Sequence, residues 1–163
     1  MSGPTLDAYG VFVTAPSGWD VGVGRRPSER AETTHAVLHA ATFPLPCRRA
    51  DYGDGAVQLM GQADVFVALV EFAPSALGTA LFAERGWPAP LAGRDFSRTS
   101  LQLGIAGQAG VQRWFTDGGR PWCLYVVIGS WADRAALAAR ANGFLRQVKV
   151  RQQEASAGPG GGP

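Results

Sequence analysis

The spacing of apolar and polar positions predicts β-strands in the N-terminal part of the chain. Residues 11–15 form a short apolar run that ends at Pro16-Ser17-Gly18, a turn signal. Residues 19–24 then alternate between apolar and polar or glycine positions, which is the period of a half-buried strand. We expect these two strands to pair as an N-terminal hairpin. The charged segment 25–34, which contains Pro27, is expected to be a loop.

The middle of the chain gives less regular signals. Residues 35–43 are predicted to be a strand, residues 47–55 a polar connection and residues 56–60 a single helical turn. Residues 65–72 (VFVALVEF) are nearly all apolar, so we place them as a central strand covered on both faces. A short helix is expected over 75–84, and a strand over 97–105.

The C-terminal part contains the clearest elements. Residues 111–116 and 121–129 are predicted to form a hairpin, because Gly118-Gly119 lies between two β-rich runs. A helix is expected to follow, with Ser130 as N-cap and Asp133 completing a capping box. Its apolar stripe consists of Leu137, Ala141, Phe144, Leu145 and Val148. The polar tail 152–163 is expected to be disordered.

These elements predict an α+β fold made of a single domain over residues 1–151. We expect one antiparallel sheet of about six to seven strands, covered on one face by the C-terminal helix. A partner would then bind the opposite face of the sheet, or a groove along the irregular segment 74–93.

Composition narrows the class of protein. The chain has 163 residues, of which 46% are hydrophobic and 17% charged, as in a globular domain. A net charge of +2 gives no general attraction to nucleic acid. No apolar run approaches the ~18 residues of a membrane span, and the N-terminus lacks a signal-peptide pattern, so we expect a cytoplasmic protein. Two cysteines without a disulfide framework fit a reducing compartment.

The candidate motifs for catalysis or metal binding lack the residues or the spacing that these activities require. His35 and His39 fall in a predicted strand, which would place them about 13 Å apart and too far to share a metal. The segment 51–55 begins like a calcium loop but has glycine at two ligand positions, and is expected to be a turn. Ser130 lacks the G-x-S-x-G pattern of a nucleophile, and Cys123 is expected to be a buried, inert thiol. We therefore predict no catalytic residue, no metal and no cofactor.

Arginine and tryptophan mark the candidate partner-binding residues, since both types anchor protein interfaces. The candidates are Trp87, Arg113, Trp114 and Trp122, together with the loop arginines Arg25 and Arg26. A second basic pair, Arg48 and Arg49, lies in another predicted loop.

The leading hypothesis is a non-catalytic protein-binding or adaptor domain with a protein partner of unknown identity. One alternative is a small-molecule-binding protein or enzyme with a site near His39, Asp51 and Asp54, where a histidine and a carboxylate could act as a general base pair. Another is a structural subunit of a larger assembly, in which the apolar hairpin makes a homo-oligomer contact.

Three segments carry a resemblance to a known group of proteins. They are an entry strand followed by APSGW (15–19), a late strand ending in YVVI (125–128) and a closing helix with ANGFL (141–145). This pattern resembles the PsbP-like and LpqN-like group, and the whole chain is similar to small uncharacterised proteins of high-GC bacteria. The resemblance implies a sheet-plus-helix accessory domain that binds other proteins, and some members of the group act as adaptors or chaperones for secreted cargo. Many members are lipoproteins with a signal peptide and a lipidated cysteine, features that this sequence does not show.

Overall fold

The computed structural model describes residues 2–27 and 34–152. Within these ranges the chain forms eight strands and one α-helix, with four 3-10 turns at Val57–Leu59, Pro74–Ala76, Ala80–Phe82 and Gly93–Asp95. The strands are β1 (Ser2–Ala8), β2 (Val11–Pro16), β3 (Asp20–Pro27), β4 (Thr34–Ala41), β5 (Val65–Glu71), β6 (Ala109–Asp117), β7 (Arg120–Ile128) and β8 (Val148–Val150). The helix, α1, spans Arg134–Leu145.

The strands form two antiparallel sheets, so the predicted single sheet of six to seven strands under one helix is wrong. A three-stranded sheet has the order β1-β2-β8, and a five-stranded sheet has the order β3-β4-β5-β7-β6. The turn at Pro16–Trp19, closed by a 3.2 Å bond from Trp19 N to Pro16 O, carries the chain from one sheet to the other. β2 is paired on both sides, by β1 and β8, and therefore has no edge left for β3.

Two hydrophobic clusters cover the two faces of the large sheet. On the first face, the small sheet and α1 pack against it, and Val11, Val148 and Phe144 share a cluster with Leu38 and Val126. On the second face, a smaller cluster lies under the connections around 43–60 and 101–105. Large parts of β4, β5 and β7 are thus buried on both faces, which explains their nearly continuous apolar sequence.

Several locally encoded elements are confirmed. β4, β5 and the β6–β7 hairpin form where the sequence predicts them, and β5 is the central strand of the large sheet. Gly118 and Gly119 have φ angles of 61° and 71°, which a tight hairpin turn of this kind requires and which glycine adopts without strain. In α1, Leu137, Ala141, Phe144 and Leu145 of the predicted stripe are buried, whereas Val148 lies beyond the helix in β8. Val57–Leu59 forms the predicted single turn.

Other expectations are wrong for identifiable reasons. Only short 3-10 turns form over 74–82, where a helix is predicted. Residues 97–105 form no strand, since their pairing is limited to an isolated bridge between Ser97 and Gly110. The helix begins at Arg134, since Ser130 closes a separate turn in which its Oγ accepts a 3.3 Å bond from Asp133 N. No strand is predicted at the position of β1, and β3 extends into the segment predicted as loop. The predicted tail, apart from Gln152, lies outside the described residues.

Candidate functional site

The two edges of the large sheet differ in how they are covered. The segment 84–86 covers part of the outer edge of β6. Thr116 N donates to Glu84 O at 2.8 Å, and Gly86 N donates to Thr116 O at 2.9 Å. β3, at the opposite edge, pairs with β4 alone within the described part of the chain. As far as residues 2–27 and 34–152 show, the outer side of β3 is therefore an open strand edge, the kind of edge that can pair with another chain.

The direction of the bonds in β4 shows which groups of β3 point outward. Ala36 N donates to the Glu71 side chain on β5, and Thr42 N donates to Val65 O at the start of β5. In an antiparallel ladder the bonding direction alternates along a strand, so the odd-numbered residues of β4 bond towards β3.

The pairing of β3 with β4 shows which residues of β3 bond towards β4. His39 lies opposite Gly22, and Val37 lies opposite Gly24, so the even-numbered residues of β3 bond inward. The backbone N–H and C=O groups of Val21, Val23 and Arg25 consequently face outward. Pro27 is next in this series but has no N–H, so the run of outward donors ends at Arg25.

A polar trough adjoins this edge on the second face of the sheet. Gly22 and Gly24 put no side chain there, and a Cβ built at Gly24 would have no atom within 4 Å. The resulting pocket has a volume of about 320 Å³. It is lined by Gly24, Arg25, Val37, His39, Cys47, Arg49 and Asp51. The open edge and the trough are therefore one continuous surface.

His39 holds Arg49 in this trough through one hydrogen bond and is itself held by a second. Arg49 Nε donates to His39 Nδ1 at 2.8 Å, and His39 Nε2 lies 2.8 Å from the backbone carbonyl oxygen of Asp51. Because the guanidinium can only donate and the carbonyl can only accept, His39 must be neutral with its proton on Nε2. Burial lowers the pKa of His39, the positive charge of Arg49 lowers it further, and the Asp51 contacts oppose both.

Arg49 keeps part of its donor capacity for a ligand. Its Nη1 donates to Pro46 O at 2.6 Å, so two of its five N–H groups are used within the described residues. Nη2 lies 3.0 Å from the position that a Cβ on Gly22 would occupy, which places the guanidinium directly beside β3. An arginine fixed in this way can bind a carboxylate with little loss of side-chain freedom.

The neutral state of His39 predicts a pH dependence of stability. Since its pKa is lowered from the usual 6.5 in the folded protein, the unfolded chain takes up the proton first as the pH falls. The free energy of unfolding should therefore be fully retained above pH 6.5 and decline below it, by at most about 1.4 kcal/mol per pH unit. Urea denaturation between pH 7.5 and 5 measures this.

His39→Gln is the matched control for this prediction. A glutamine amide can donate to the Asp51 carbonyl and accept from Arg49, but it does not titrate. His35 is present in both proteins, so its contribution cancels in the difference. Parallel pH profiles for the two proteins would show that His39 is not the titrating group.

The tryptophans predicted as partner-binding residues lie in different surroundings. Trp122 is completely buried in the first-face core, so it has no surface to offer a partner. Trp114 is partly buried in an aromatic cluster, with ring centroids 5.3 Å from Phe72 and 5.7 Å from Phe82. Trp87 packs edge-on against Phe115 at 5.4 Å. The structure does not bring these three tryptophans together with the open edge.

The arginines predicted as partner-binding residues also lie in different places. Arg113 Nη2 forms an ion pair with Asp95 at 3.2 Å, away from β3. Arg25 lies on β3 itself, exposed, with its guanidinium carbon 5.3 Å from the centroid of the Tyr9 ring. Arg26 is in β3 as well, but its side chain lies outside the described residues. Among the predicted partner-binding residues whose side chains are described, Arg25 alone lies at the candidate site. His39 and Asp51, which the alternative hypothesis names, also line the trough.

The predicted group of His39, Asp51 and Asp54 is held by other contacts. His39 bonds to the backbone carbonyl of Asp51, and the Asp54 carboxylate accepts a 2.6 Å bond from Gln58 Nε2. Both ring nitrogens of His39 are therefore engaged. Among the described residues, no group of three or more His, Cys, Asp or Glu side chains could hold a metal ion.

The two cysteines differ in their exposure to solvent. Cys123 is completely buried, and burial raises the pKa of its thiol to about 11, so it stays protonated as an inert core residue. Cys47 is exposed and lines the trough. A thiol reagent applied to the folded protein would therefore report on the trough alone.

Sequence reasoning missed the residues that shape the site. The sequence shows Arg49 only as one of a basic pair with Arg48 in a predicted loop. Its contact with His39 joins residues ten positions apart that the fold brings together. Glycines at 22 and 24, on one face of a predicted strand, were the available signal, because such glycines mark a close approach to the sheet.

Comparison with known proteins adds no relative to this description. The chain matches no protein-family model, no curated protein and no solved structure. No helix in the described part of the chain has the length and apolar character needed to cross a membrane.

Proposed function

We propose that this protein is a non-catalytic binding module that captures an extended segment of a partner protein by adding it as a strand to β3. The observation that carries the proposal is the open edge of β3, with the outward backbone groups of Val21, Val23 and Arg25. Strand addition is a recurring mode of peptide recognition, in which backbone bonds supply affinity and neighbouring pockets supply specificity. The trough beside β3 is such a pocket.

Charge at this edge favours an acidic segment of another protein. Arg25 lies on the first face of the strand, and the Arg49 guanidinium lies beside it on the second face. An incoming strand would pass between these two positive charges. A second copy of this chain would bring its own Arg25 and Arg49 to the same place, where like charges oppose pairing.

An enzymatic role for His39 has less support from the geometry. A general base needs a free nitrogen within hydrogen-bond reach of its substrate. The Nδ1 and Nε2 atoms of His39 already bond to Arg49 and to the Asp51 carbonyl. We assign His39 the role of positioning Arg49.

Val23→Pro tests the proposed function. Proline removes the central outward N–H of β3, and it is tolerated at an edge position whose N–H bonds to no neighbouring strand. In affinity capture from the host, read by mass spectrometry, we expect a stoichiometric partner with the wild-type full-length chain. Its recovery should fall by about tenfold or more with Val23→Pro, since a backbone bond and the strand geometry are both lost.

Val23→Ala is the matched control, because it keeps the N–H while removing more of the apolar side chain than proline does. It should capture the partner as the wild type does. Equal capture by all three proteins, or capture of no partner by the wild type, would contradict strand addition at β3. Light scattering tests the alternative that β3 pairs with a second copy of this chain. A wild-type dimer that Val23→Pro dissociates would support that alternative and contradict the proposed partner.

A further inference from the structure

The trough beside β3 contains an arginine, Arg49, that the fold fixes in place through only part of its hydrogen-bond donors. His39 and Pro46 O hold Arg49 through Nε and Nη1, and His39 is itself fixed by the Asp51 carbonyl. Three of the five guanidinium N–H groups are not used by these bonds. A fixed guanidinium with spare donors is suited to a carboxylate, which accepts two parallel bonds from it.

The distance between Arg49 and β3 matches the reach of an added strand. Gly22 bonds inward to β4, so an antiparallel residue opposite it on the outer side forms a non-hydrogen-bonded pair. The Cβ atoms of such a pair lie about 4.5–5.5 Å apart. Arg49 Nη2 lies 3.0 Å from the Cβ position of Gly22, on the same face. An aspartate or glutamate extends two or three further bonds of about 1.5 Å from its Cβ, enough to reach the guanidinium.

We propose that Arg49 binds the carboxylate of an aspartate or glutamate side chain that the incoming segment places opposite Gly22. This inference rests on the proposed strand addition and adds its sequence specificity. Glycine at position 22 keeps the path between the two strands clear, because any larger residue there would meet the guanidinium. His39 is the positioning residue, since its neutral ring orients Arg49 without competing for the ligand.

The test is selection of peptides from a displayed library of 12-residue sequences, randomised at every position, on the full-length chain. We expect the selected peptides to share one acidic position within an alternating pattern, and to protect the amides of Val21, Val23 and Arg25 from hydrogen exchange. On Arg49→Gln the acidic preference should disappear, and a wild-type-selected peptide should bind about tenfold or more weakly.

Arg48→Gln is the matched control, because it removes the same charge from an exposed neighbour that does not line the trough. It should change the affinity by less than about threefold. Gly24→Val keeps the test decisive if Arg49→Gln does not fold: the site has room for a Cβ, and the added side chain fills the trough. This variant should fold and should also lose the acidic preference.

The outcomes separate this inference from the proposed function. Peptides that protect the β3 amides without an acidic preference would overturn the role of Arg49 and leave strand addition standing. Acidic peptides that depend on Arg49 but leave those amides unprotected would overturn the placement opposite Gly22. If no selected peptide protects the amides, the proposed function and this inference both fail. Slower alkylation of Cys47 in the presence of the peptide would independently report that the trough is covered.

Discussion

Replacing Arg120 by alanine is expected to lower the free energy of unfolding by about 3–5 kcal/mol, a large share of the stability of a domain of this size. Arg120 is buried at the start of β7, and its Nε lies 2.5 Å from a Glu71 carboxylate oxygen. Removal of the guanidinium leaves the Glu71 carboxylate in the interior without its arginine. A buried charge that loses its ion partner in this way is strongly destabilising.

The same guanidinium also connects the two sheets. Nη1 donates to Gly10 O at 3.1 Å and Nη2 to Tyr9 O at 2.9 Å, in the turn between β1 and β2. Gly10 has a φ of 76°, and a Cβ there would lie 2.2 Å from Arg120 Nη1, so only glycine allows this approach. Amide exchange in β1 and β2 should therefore accelerate more in Arg120→Ala than exchange in the centre of the large sheet.

Arg113→Ala is the matched control for the loss of an arginine ion pair. The Arg113 side chain is 40% exposed and pairs with Asp95 at 3.2 Å. An exposed pair of this kind contributes about 0–1 kcal/mol. Urea denaturation of both variants gives the comparison. Similar losses in the two proteins, or unchanged exchange in β1 and β2 of Arg120→Ala, would contradict the connecting role of Arg120.

Local signals in the sequence were enough for some elements and insufficient for the sheet architecture. The β6–β7 hairpin depends on Gly118-Gly119, and α1 on its apolar stripe, so both could be predicted from adjacent residues. β1 (SGPTLDA) contains residues of low strand propensity and is a strand because it pairs with β2. Whether Pro16–Trp19 closes a hairpin or links two sheets depends on β8, which lies more than 100 residues away in sequence.

The candidate site was predictable only in part, for the same reason. Arg25 is predicted as a loop arginine because the basic pair Arg25-Arg26 is visible in the sequence itself, although the residue lies in β3. The openness of β3 depends on the order of all five strands, and the neutral state of His39 depends on a contact from a loop. The sequence predicts Trp122 at a partner surface because tryptophan is common at interfaces, but β7 is buried on both faces and Trp122 lies in the first-face core.

Trp122→Ala should lower the free energy of unfolding by about 3–5 kcal/mol, the range for removing a buried aromatic side chain. Trp122 has no exposed surface and is the largest fully buried side chain of the described residues. Its Nε1 also donates to Asp117 O at 3.3 Å. Trp122→Phe, which keeps most of the apolar volume and loses this bond, should be less destabilising than alanine. A loss below about 1 kcal/mol for alanine would mean that the core closes around the missing ring.

Trp122 and Arg120 are expected to act as one unit, because the guanidinium carbon of Arg120 lies 4.5 Å from the centroid of the Trp122 ring. Without the indole beneath it, Arg120 loses a cation–π contact and the packing that aims it at Glu71 and the β1–β2 turn. The double variant Arg120→Ala/Trp122→Ala should therefore lose less stability than the two single variants added together, with a coupling of about 0.5–3 kcal/mol. Additive losses in urea denaturation would instead show that the salt bridge is positioned by the strands alone.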